Sequence, residues 1–131
     1  MVEHIINKTL QRQYEKAKEE FAKEKKKSVE ERLVFHGTEK DAIEKIIEEG
    51  YKIGGEGVAV RNGRVFGSGV YTAVDPNVSI PYSNGGSMML LSSALVGEPG
   101  KDYSNGASAD VLVLKKAEYL LPKYIVHFTK K

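Results

Sequence analysis

A histidine, a serine and two tyrosines occur at spacings that would let their side chains serve one ligand. His36 is followed directly by Gly37, Tyr71 follows a Gly-Ser-Gly-Val stretch, and Ser79 and Tyr82 come soon after it. Aromatic faces with a polar rim suit a flat heteroaromatic ligand. A glycine beside the histidine leaves its backbone N–H and C=O open to an amide group. These residues therefore predict a site for a flat ring that carries an amide.

Each candidate also has a purely structural interpretation, which the sequence leaves open. His36 could be a core histidine at a strand end, and Tyr71 and Tyr82 could be core aromatics. Ser79 could bond to the backbone of its own helix, as short hydroxyl side chains often do. Thr38 could cap the helix that follows it, contact the ligand, or do both.

Several common phosphate and hydrolase motifs are absent from the glycine-rich stretch. Gly67-Ser68-Gly69 lacks the third glycine of a dinucleotide fingerprint because residue 72 is Thr, and the chain has no Gly-x-x-x-x-Gly-Lys-Ser/Thr loop. The stretch also fails the G-x-S-x-G spacing of a nucleophile elbow. A Rossmann site and a P-loop are thus excluded, and an ordinary Ser-His-Asp hydrolase is not expected.

Length and composition limit the class of protein further. The 131 residues are expected to form a single domain, and the absence of Cys excludes disulfides, thiolate metal sites and a cysteine nucleophile. A formal net charge of +2 gives no electrostatic reason to expect nucleic acid or an anionic membrane as partner. No apolar run approaches the roughly 20 residues of a membrane span, and the N-terminus lacks an apolar signal region. We therefore expect an intracellular monomer, cytoplasmic or nuclear, without a membrane partner or a metal.

The secondary structure expected to position the candidate residues is of the α+β class. The segment 2–31 is rich in Glu and Lys and has no Gly or Pro, and its apolar residues recur at steps of three or four, which predicts a long N-terminal helix over 1–31. The apolar stripe consists of Ile6, Leu10, Tyr14, Ala17 and Phe21. Residues 32–131 are expected to form the ligand-binding core, with two short helices and five or six short strands.

Local signals mark the first half of this core. Leu33–Phe35 predicts a short strand that ends at His36. Thr38 and Asp41 have the spacing of an N-cap and its N3 partner, so they predict a capping box. The helix that they begin is expected to stop at Gly50.

Further signals mark the second half. Asp75 and Pro76 predict the N-cap and first residue of a short helix, which Pro81 interrupts. The remaining strands are predicted at Met88–Val96, Val111–Leu114 and Tyr124–Phe128. Gly97–Ala109 is predicted as a polar loop, and Pro122 is placed just before the last strand.

Three motifs, in this order, resemble the catalytic domain of the poly(ADP-ribose) polymerase-like ADP-ribosyltransferases. They are Phe35-His36-Gly37-Thr38, then Phe66-Gly67-Ser68-Gly69-Val70-Tyr71, then Ser79-x-x-Tyr82. Asn7-x-x-Leu10-x-x-x-Tyr14 is similar to the helix before the family's first strand, and Leu121–Val126 is similar to its last strand. The resemblance implies an α+β ADP-ribosyltransferase fold, with NAD bound in the cleft of a split, mostly antiparallel sheet.

The resemblance also implies how the nicotinamide end of NAD would be held. The Gly37 backbone and the Ser79 hydroxyl would bond to the carboxamide. Tyr82 would stack on the nicotinamide ring, and Tyr71 would close its opposite side. NAD would act as a substrate, with no metal required.

The ribose and adenosine parts of NAD are assigned to other residues by the same resemblance. His36 would anchor a ribose hydroxyl, and Thr38 would help to hold the adenosine half. The stretch Gly54–Phe66 would be a flexible loop bordering the donor site.

One catalytic position departs from the family's His-Tyr-Glu triad. Counting back from the segment Leu121–Tyr124 in the family's spacing places the triad glutamate at Val111, so the triad reads His36, Tyr71, Val111. Cleavage of the nicotinamide–ribose bond develops oxocarbenium charge that a carboxylate stabilises, and its loss typically lowers the rate roughly 100- to 1000-fold. Asp110 is the candidate replacement, but neighbours on a regular strand face opposite sides, so a bulge would be needed to bring it in.

We therefore expect a mono-ADP-ribosyltransferase that transfers ADP-ribose from NAD to a macromolecular acceptor and releases nicotinamide. A protein is the expected acceptor and a nucleic acid the second candidate, and polymer extension is not expected. Val111 also supports the alternative of a catalytically inactive module that binds NAD or ADP-ribose. A third alternative is an interaction domain with a vestigial pocket.

Overall fold

Seven strands form one antiparallel sheet within the residues that the computed structural model describes, namely 2–25, 29–53, 69–83, 86–105 and 110–128. The strands are β1 Val2–His4, β2 Glu30–His36, β3 Val70–Ala73, β4 Met88–Val96, β5 Tyr103–Asn105, β6 Val111–Leu114 and β7 Leu120–His127, in the order β1-β7-β4-β2-β3-β6-β5. The helices are α1 Lys8–Lys25, α2 Lys40–Glu49 and α3 Pro76–Ser79, and 3₁₀ turns cover Ile80–Ser83 and Ala117–Tyr119. The predicted α+β class is confirmed.

The sheet is split into two halves that meet between β2 and β3. β2 pairs with β4 along its full length, from Glu30 to His36. In the described residues, β2 and β3 pair through Phe35 and Ala73 alone. The sheet therefore consists of the half β1-β7-β4-β2 and the half β3-β6-β5, joined at a seam, which agrees with the predicted split sheet.

The N-terminal helix is shorter than the predicted segment 1–31. α1 begins at Lys8 because the Oδ1 atom of Asn7 accepts a hydrogen bond from the Leu10 N–H, at 3.1 Å, which is the geometry of an N-cap. Val2–His4 instead forms strand β1 beside β7, and Ile6 lies outside the helix with 73% of its surface exposed. The other members of the predicted apolar stripe, Leu10, Tyr14, Ala17 and Phe21, are buried.

The predicted capping box at the start of α2 is wrong. The N-cap residue is Glu39 rather than Thr38, its backbone is extended, and no side-chain oxygen caps the helix. α2 ends as predicted at Gly50, whose φ of 88° is easily adopted by glycine and whose N–H bonds to the Ile46 carbonyl. Thr38 therefore has no capping role.

The later elements follow the predictions with two differences. Asp75 caps α3 by accepting from the Asn77 N–H at 2.9 Å, and β4 has the predicted bounds. Pro122 lies inside β7 rather than before it, at a register shift opposite Ser92 where a residue without an N–H is tolerated. The predicted loop Gly97–Ala109 contains the short strand β5.

The core has two parts, one on each face of the sheet. The cluster beneath α1 contains Leu10, Tyr14, Ala17, Phe21, Leu95 and Leu121. The cluster on the other face includes Val34, Ile43, Tyr51, Ile53, Leu90, Leu112 and Leu114. No helix in the described part of the chain is both long enough and apolar enough to cross a bilayer.

Candidate active site

His36 lies at the end of β2, on the seam of the sheet. Its Nδ1 atom is 2.8 Å from the carbonyl oxygen of Tyr71 on β3. Because a carbonyl can only accept, Nδ1 carries the proton and Nε2 keeps its lone pair in the neutral imidazole. Burial lowers the pKa of His36, and the bond to the Tyr71 carbonyl opposes that shift only in part. The structure therefore presents a neutral histidine whose Nε2 can accept a hydrogen bond.

A third tyrosine, Tyr51, packs against this imidazole. The two ring centroids are 5.2 Å apart and the ring planes are 89° to each other, an edge-to-face contact. The sequence predicts Tyr51 only as a packing or surface residue, and it is indeed buried. Its direct contact with His36 could not be predicted, although an aromatic residue directly after the terminal glycine of α2 was a weak signal.

Tyr71 and Val111 lie on the same face of the sheet. Tyr71 on β3 pairs with Val113 on β6, and Ala73 pairs with Val111. Because directly opposite residues share a face and alternate residues repeat it, the side chains of Tyr71 and Val111 are on one face. Two of the three predicted triad positions therefore neighbour each other.

Asp110 belongs to the other face of the sheet. Its carbonyl accepts a hydrogen bond from the Val74 N–H at 2.8 Å, so pairing between the two chain segments extends to this residue without a bulge. Regular alternation then directs the Asp110 side chain away from the face of Val111. His36 adjoins Phe35, which shares a face with Ala73, so His36 leaves its strand on the same face as Asp110. By the same alternation, His36 is on the opposite face from Tyr71 and Val111, and it reaches β3 through the Tyr71 backbone carbonyl, not through the Tyr71 side chain.

Ser79 connects α3 to the strand that carries His36. Its hydroxyl donates to the Phe35 carbonyl at 3.1 Å, and the residue is 4% exposed. The bond therefore runs to β2, not to the helix backbone of Ser79 itself. A hydroxyl that donates one hydrogen bond can still accept from a ligand N–H.

The structure describes only some of the other predicted site residues in full. Gly37 and Thr38 lie half-buried in the connection between β2 and α2. Tyr82 lies in the 3₁₀ turn Ile80–Ser83, with its side chain outside the described part of the structure, and Gly54–Phe66 also lies outside it. Among the described residues, no three His, Asp or Glu side chains are grouped as metal ligands.

A cleft of about 240 Å³ lies elsewhere, against α1. It is lined by Ala17, Glu20, Phe21, Glu24, Lys101, Asp102, Lys115, Lys116 and Tyr119, and thus by none of the candidate site residues. Its charges are partly matched internally, since Lys101 pairs with Glu24 at 2.8 Å. We therefore place the candidate site at the seam and not in this cleft.

Comparison with known proteins identifies the family of the chain. No curated protein matches the chain. A family model described as the poly(ADP-ribose) polymerase catalytic domain matches residues 1–129. This match spans almost the whole chain and includes the strands and helices that carry every candidate residue. The chain therefore belongs to the poly(ADP-ribose) polymerase catalytic domain family and has the α+β ADP-ribosyltransferase fold of that family.

Proposed function

We propose that this protein is a mono-ADP-ribosyltransferase, which moves ADP-ribose from NAD to a macromolecular acceptor and releases nicotinamide. Membership of the family supports NAD-dependent ADP-ribosyl transfer in general. The observation that carries the proposal is the hydrogen bond from His36 to the Tyr71 carbonyl across the seam. It keeps a neutral histidine, with an acceptor nitrogen, beside the strand of the proposed catalytic tyrosine.

The nicotinamide end of NAD would be held by backbone and hydroxyl groups close to His36. The Gly37 N–H and C=O can pair with the carboxamide oxygen and N–H, respectively. The Ser79 hydroxyl, which the Phe35 bond keeps beside β2, would add a third contact. Tyr71 and Tyr82 would enclose the ring, and aromatic faces suit this role.

The rest of NAD would be held by His36 and Thr38. The Nε2 lone pair of His36 would accept a hydrogen bond from a ribose hydroxyl. Thr38 does not cap α2, so its hydroxyl has no competing helical role and would contact the adenosine half.

In the proposed transfer step, the bond between the ribose C1′ and the nicotinamide nitrogen breaks, and nicotinamide leaves with the electron pair. An acceptor nucleophile then forms a bond to C1′; a hydroxyl or amine acceptor loses its proton to solvent, whereas an ionised carboxylate has none to lose. The charge that develops on the ribose is the part of the reaction that a carboxylate would stabilise. Val111 at the proposed triad position cannot stabilise it, so an acidic acceptor side chain would supply the charge.

The same valine supports transfer of single units. Extension of a polymer requires a second ribose hydroxyl to be activated as nucleophile, and an aliphatic side chain cannot take its proton. We therefore propose that a protein is the acceptor, with a nucleic acid as the second candidate, and that one ADP-ribose is added per site.

Incubation with labelled NAD and a cell extract tests this proposal. Label should appear on macromolecules, and nicotinamide should be released, well above the level of a His36→Ala control. Calorimetric titration with NAD is run in parallel on both proteins. NAD binding without label transfer or nicotinamide release would contradict the transferase and leave an NAD-binding module, whereas failure to bind any nicotinamide compound would leave an interaction domain.

A further inference from the structure

We propose that Tyr51 is a positioning residue that fixes the orientation and the tautomer of the His36 imidazole, and that Ser92 holds Tyr51 in place. The proposal goes beyond the transferase assignment, and it rests on that assignment only for its effect on NAD.

The bond from His36 to the Tyr71 carbonyl does not fix the imidazole by itself. One hydrogen bond at 2.8 Å sets the position of Nδ1 but leaves the ring free to tilt about that bond. The Tyr51 ring, at a right angle to the imidazole and 5.2 Å from it, restricts that tilt from a second direction. Edge-to-face aromatic pairs contribute stability beyond simple burial of area. Together, the two contacts determine where Nε2 points.

Tyr51 is itself held by a buried hydrogen bond. Its hydroxyl lies 2.6 Å from the Oγ atom of Ser92, and the two residues are 4% and 0% exposed. Burial raises the pKa of Tyr51, so the hydroxyl remains protonated and uncharged. A buried hydroxyl that lost its partner would carry an uncompensated desolvation penalty, so both members resist displacement.

Ser92, which bonds to Tyr51, and His36, which Tyr51 contacts, lie on one face of the sheet. Ser92 on β4 pairs with Val34 on β2, and the next pair on that face is Leu90 with His36. Tyr51 therefore spans from one cross-strand pair to the next, and packs across the face that carries His36. Any movement of Tyr51 relative to β4 would move the imidazole with it.

Tyr14 provides a matched control on the opposite face. It is a second buried tyrosine, and its hydroxyl lies 2.8 Å from the Oγ atom of Ser93, the residue next to Ser92. It belongs to the cluster beneath α1 and not to the cluster that contains Tyr51. Tyr14→Phe therefore removes a buried tyrosine–serine bond, together with the Tyr14 hydrogen bond to Glu31, without touching the surroundings of His36.

The test compares Tyr51→Phe, Tyr51→Leu and Ser92→Ala with Tyr14→Phe, using long-range ¹H–¹⁵N correlation spectra of the His36 ring at neutral pH. Wild type should show the tautomer protonated at Nδ1. In the three test variants, the Nε2 shift should move toward that of a mixed-tautomer imidazole, and the Nδ1 proton should exchange faster with water. Tyr14→Phe should leave both quantities unchanged. NAD affinity should fall on the order of threefold to tenfold in Tyr51→Phe and remain at the wild-type level in Tyr14→Phe.

The ring spectra separate this proposal from the transferase assignment. They require no ligand, so they decide the role of Tyr51 even if the wild-type protein does not bind NAD. If Tyr51→Leu fails to fold, Tyr51→Phe and Ser92→Ala still decide, because both keep the aromatic ring in the core but remove the hydrogen bond that holds it in place. Wild-type tautomer and wild-type exchange in all folded test variants would overturn the proposal.

Discussion

The imidazole of His36 donates to the carbonyl of Tyr71 across the seam where the two halves of the sheet meet. A second polar contact of the candidate site, from Ser79 to the Phe35 carbonyl, lies at the same seam. Phe35 is also the β2 member of the backbone pair that joins the halves. A ligand bound here would contact both half-sheets, so its affinity and the geometry of the seam should depend on each other.

Protonation of His36 should destabilise the fold at mildly acidic pH. Burial lowers the pKa of His36 in the folded state, so below about pH 6.5 the unfolded chain binds a proton that the folded chain does not. Stability is therefore lost as the pH falls through the ordinary histidine range, by at most about 1.4 kcal/mol per pH unit for one proton. Measured by urea unfolding, the free energy of unfolding should fall more between pH 7.5 and pH 5.5 for wild type than for His36→Asn.

Asn is the suitable replacement because its amide nitrogen can donate to the Tyr71 carbonyl as Nδ1 does. His4 and His127 are present in both proteins, so the comparison isolates the change at position 36. An equal loss of stability in wild type and variant would show that His36 titrates as it does in the unfolded chain.

The substitution Val111→Glu should raise NAD turnover. Val111 shares a sheet face with Tyr71, so a carboxylate there could stabilise the charge that develops on the ribose. An increase in nicotinamide release on the order of 10- to 100-fold is expected, measured with NAD alone and no acceptor.

Asp110→Asn is the companion variant to Val111→Glu, because Asp110 faces the other side of the sheet from Val111, the side on which His36 leaves β2. We expect it to leave nicotinamide release at the wild-type level. The reverse result, with Asp110→Asn inactive and Val111→Glu unimproved, would assign the catalytic carboxylate to Asp110.

Features with a local physical cause could be predicted from the sequence. The end of α2 at Gly50 and the cap of α3 at Asp75 could be predicted because each depends on the conformation of one residue and its nearest neighbours. The burial of the stripe from Leu10 to Phe21 could be predicted because helical periodicity in the sequence shows which residues share a face, whatever surface that face packs against. The prediction that His36 and Tyr71 are site residues depends on the order and spacing of short motifs, which can also be seen in the sequence.

Features that depend on distant parts of the chain could not be predicted. β1 forms because β7 offers it an edge, and no pattern within Val2–His4 indicates that pairing. Thr38 has the spacing of a cap, but the chain leaving β2 keeps its extended backbone for one residue more, to Glu39. The contact between Tyr51 and His36 depends on how the segment after α2 packs against the sheet, which the local sequence indicates only weakly, through an aromatic residue directly after Gly50.

Substitution of Asn7, which caps α1, should affect stability more than substitution of Thr38, which the sequence predicts as the cap of α2. Asn7 accepts from the Leu10 N–H and also donates to the Ile47 carbonyl at 2.9 Å, so it joins the start of α1 to the end of α2. Asn7→Ala should lower the free energy of unfolding by about 1–3 kcal/mol. Thr38→Ala should lower it by less than about 0.5 kcal/mol, because Thr38 caps nothing. Urea unfolding of both variants measures the difference.

Asn7→Asp separates the two functions of Asn7. Aspartate is an effective N-cap but cannot donate to the Ile47 carbonyl, so its loss of stability should fall between those of wild type and Asn7→Ala. If Thr38→Ala proved as destabilising as Asn7→Ala, Thr38 would be the cap in solution and its proposed role toward adenosine would lose its support.

A methyl group added at Gly69 should destabilise the half-sheet that carries Tyr71. A Cβ there would lie 2.6 Å from the Leu114 carbonyl oxygen and 2.6 Å from a Val113 methyl group, both on β6. The carbonyl cannot move aside without disturbing the pairing of β3 with β6, so Gly69→Ala should lower the free energy of unfolding by about 2–4 kcal/mol. Gly100 is the control, since it also has a positive φ, of 87°, but nothing lies within 4 Å of its Cβ position. Gly100→Ala should lower it by only about 1–2 kcal/mol, through backbone strain alone.

The same pair of variants tests whether Tyr71 must be held in place for NAD to bind. Gly69 lies two residues before Tyr71, so strand movement that relieves the clash also displaces that tyrosine from His36. NAD affinity should therefore fall in Gly69→Ala, measured by calorimetry under conditions where the protein is fully folded, and remain unchanged in Gly100→Ala. Equal affinity in the two variants, despite a larger loss of stability at position 69, would show that the position of Tyr71 does not limit binding.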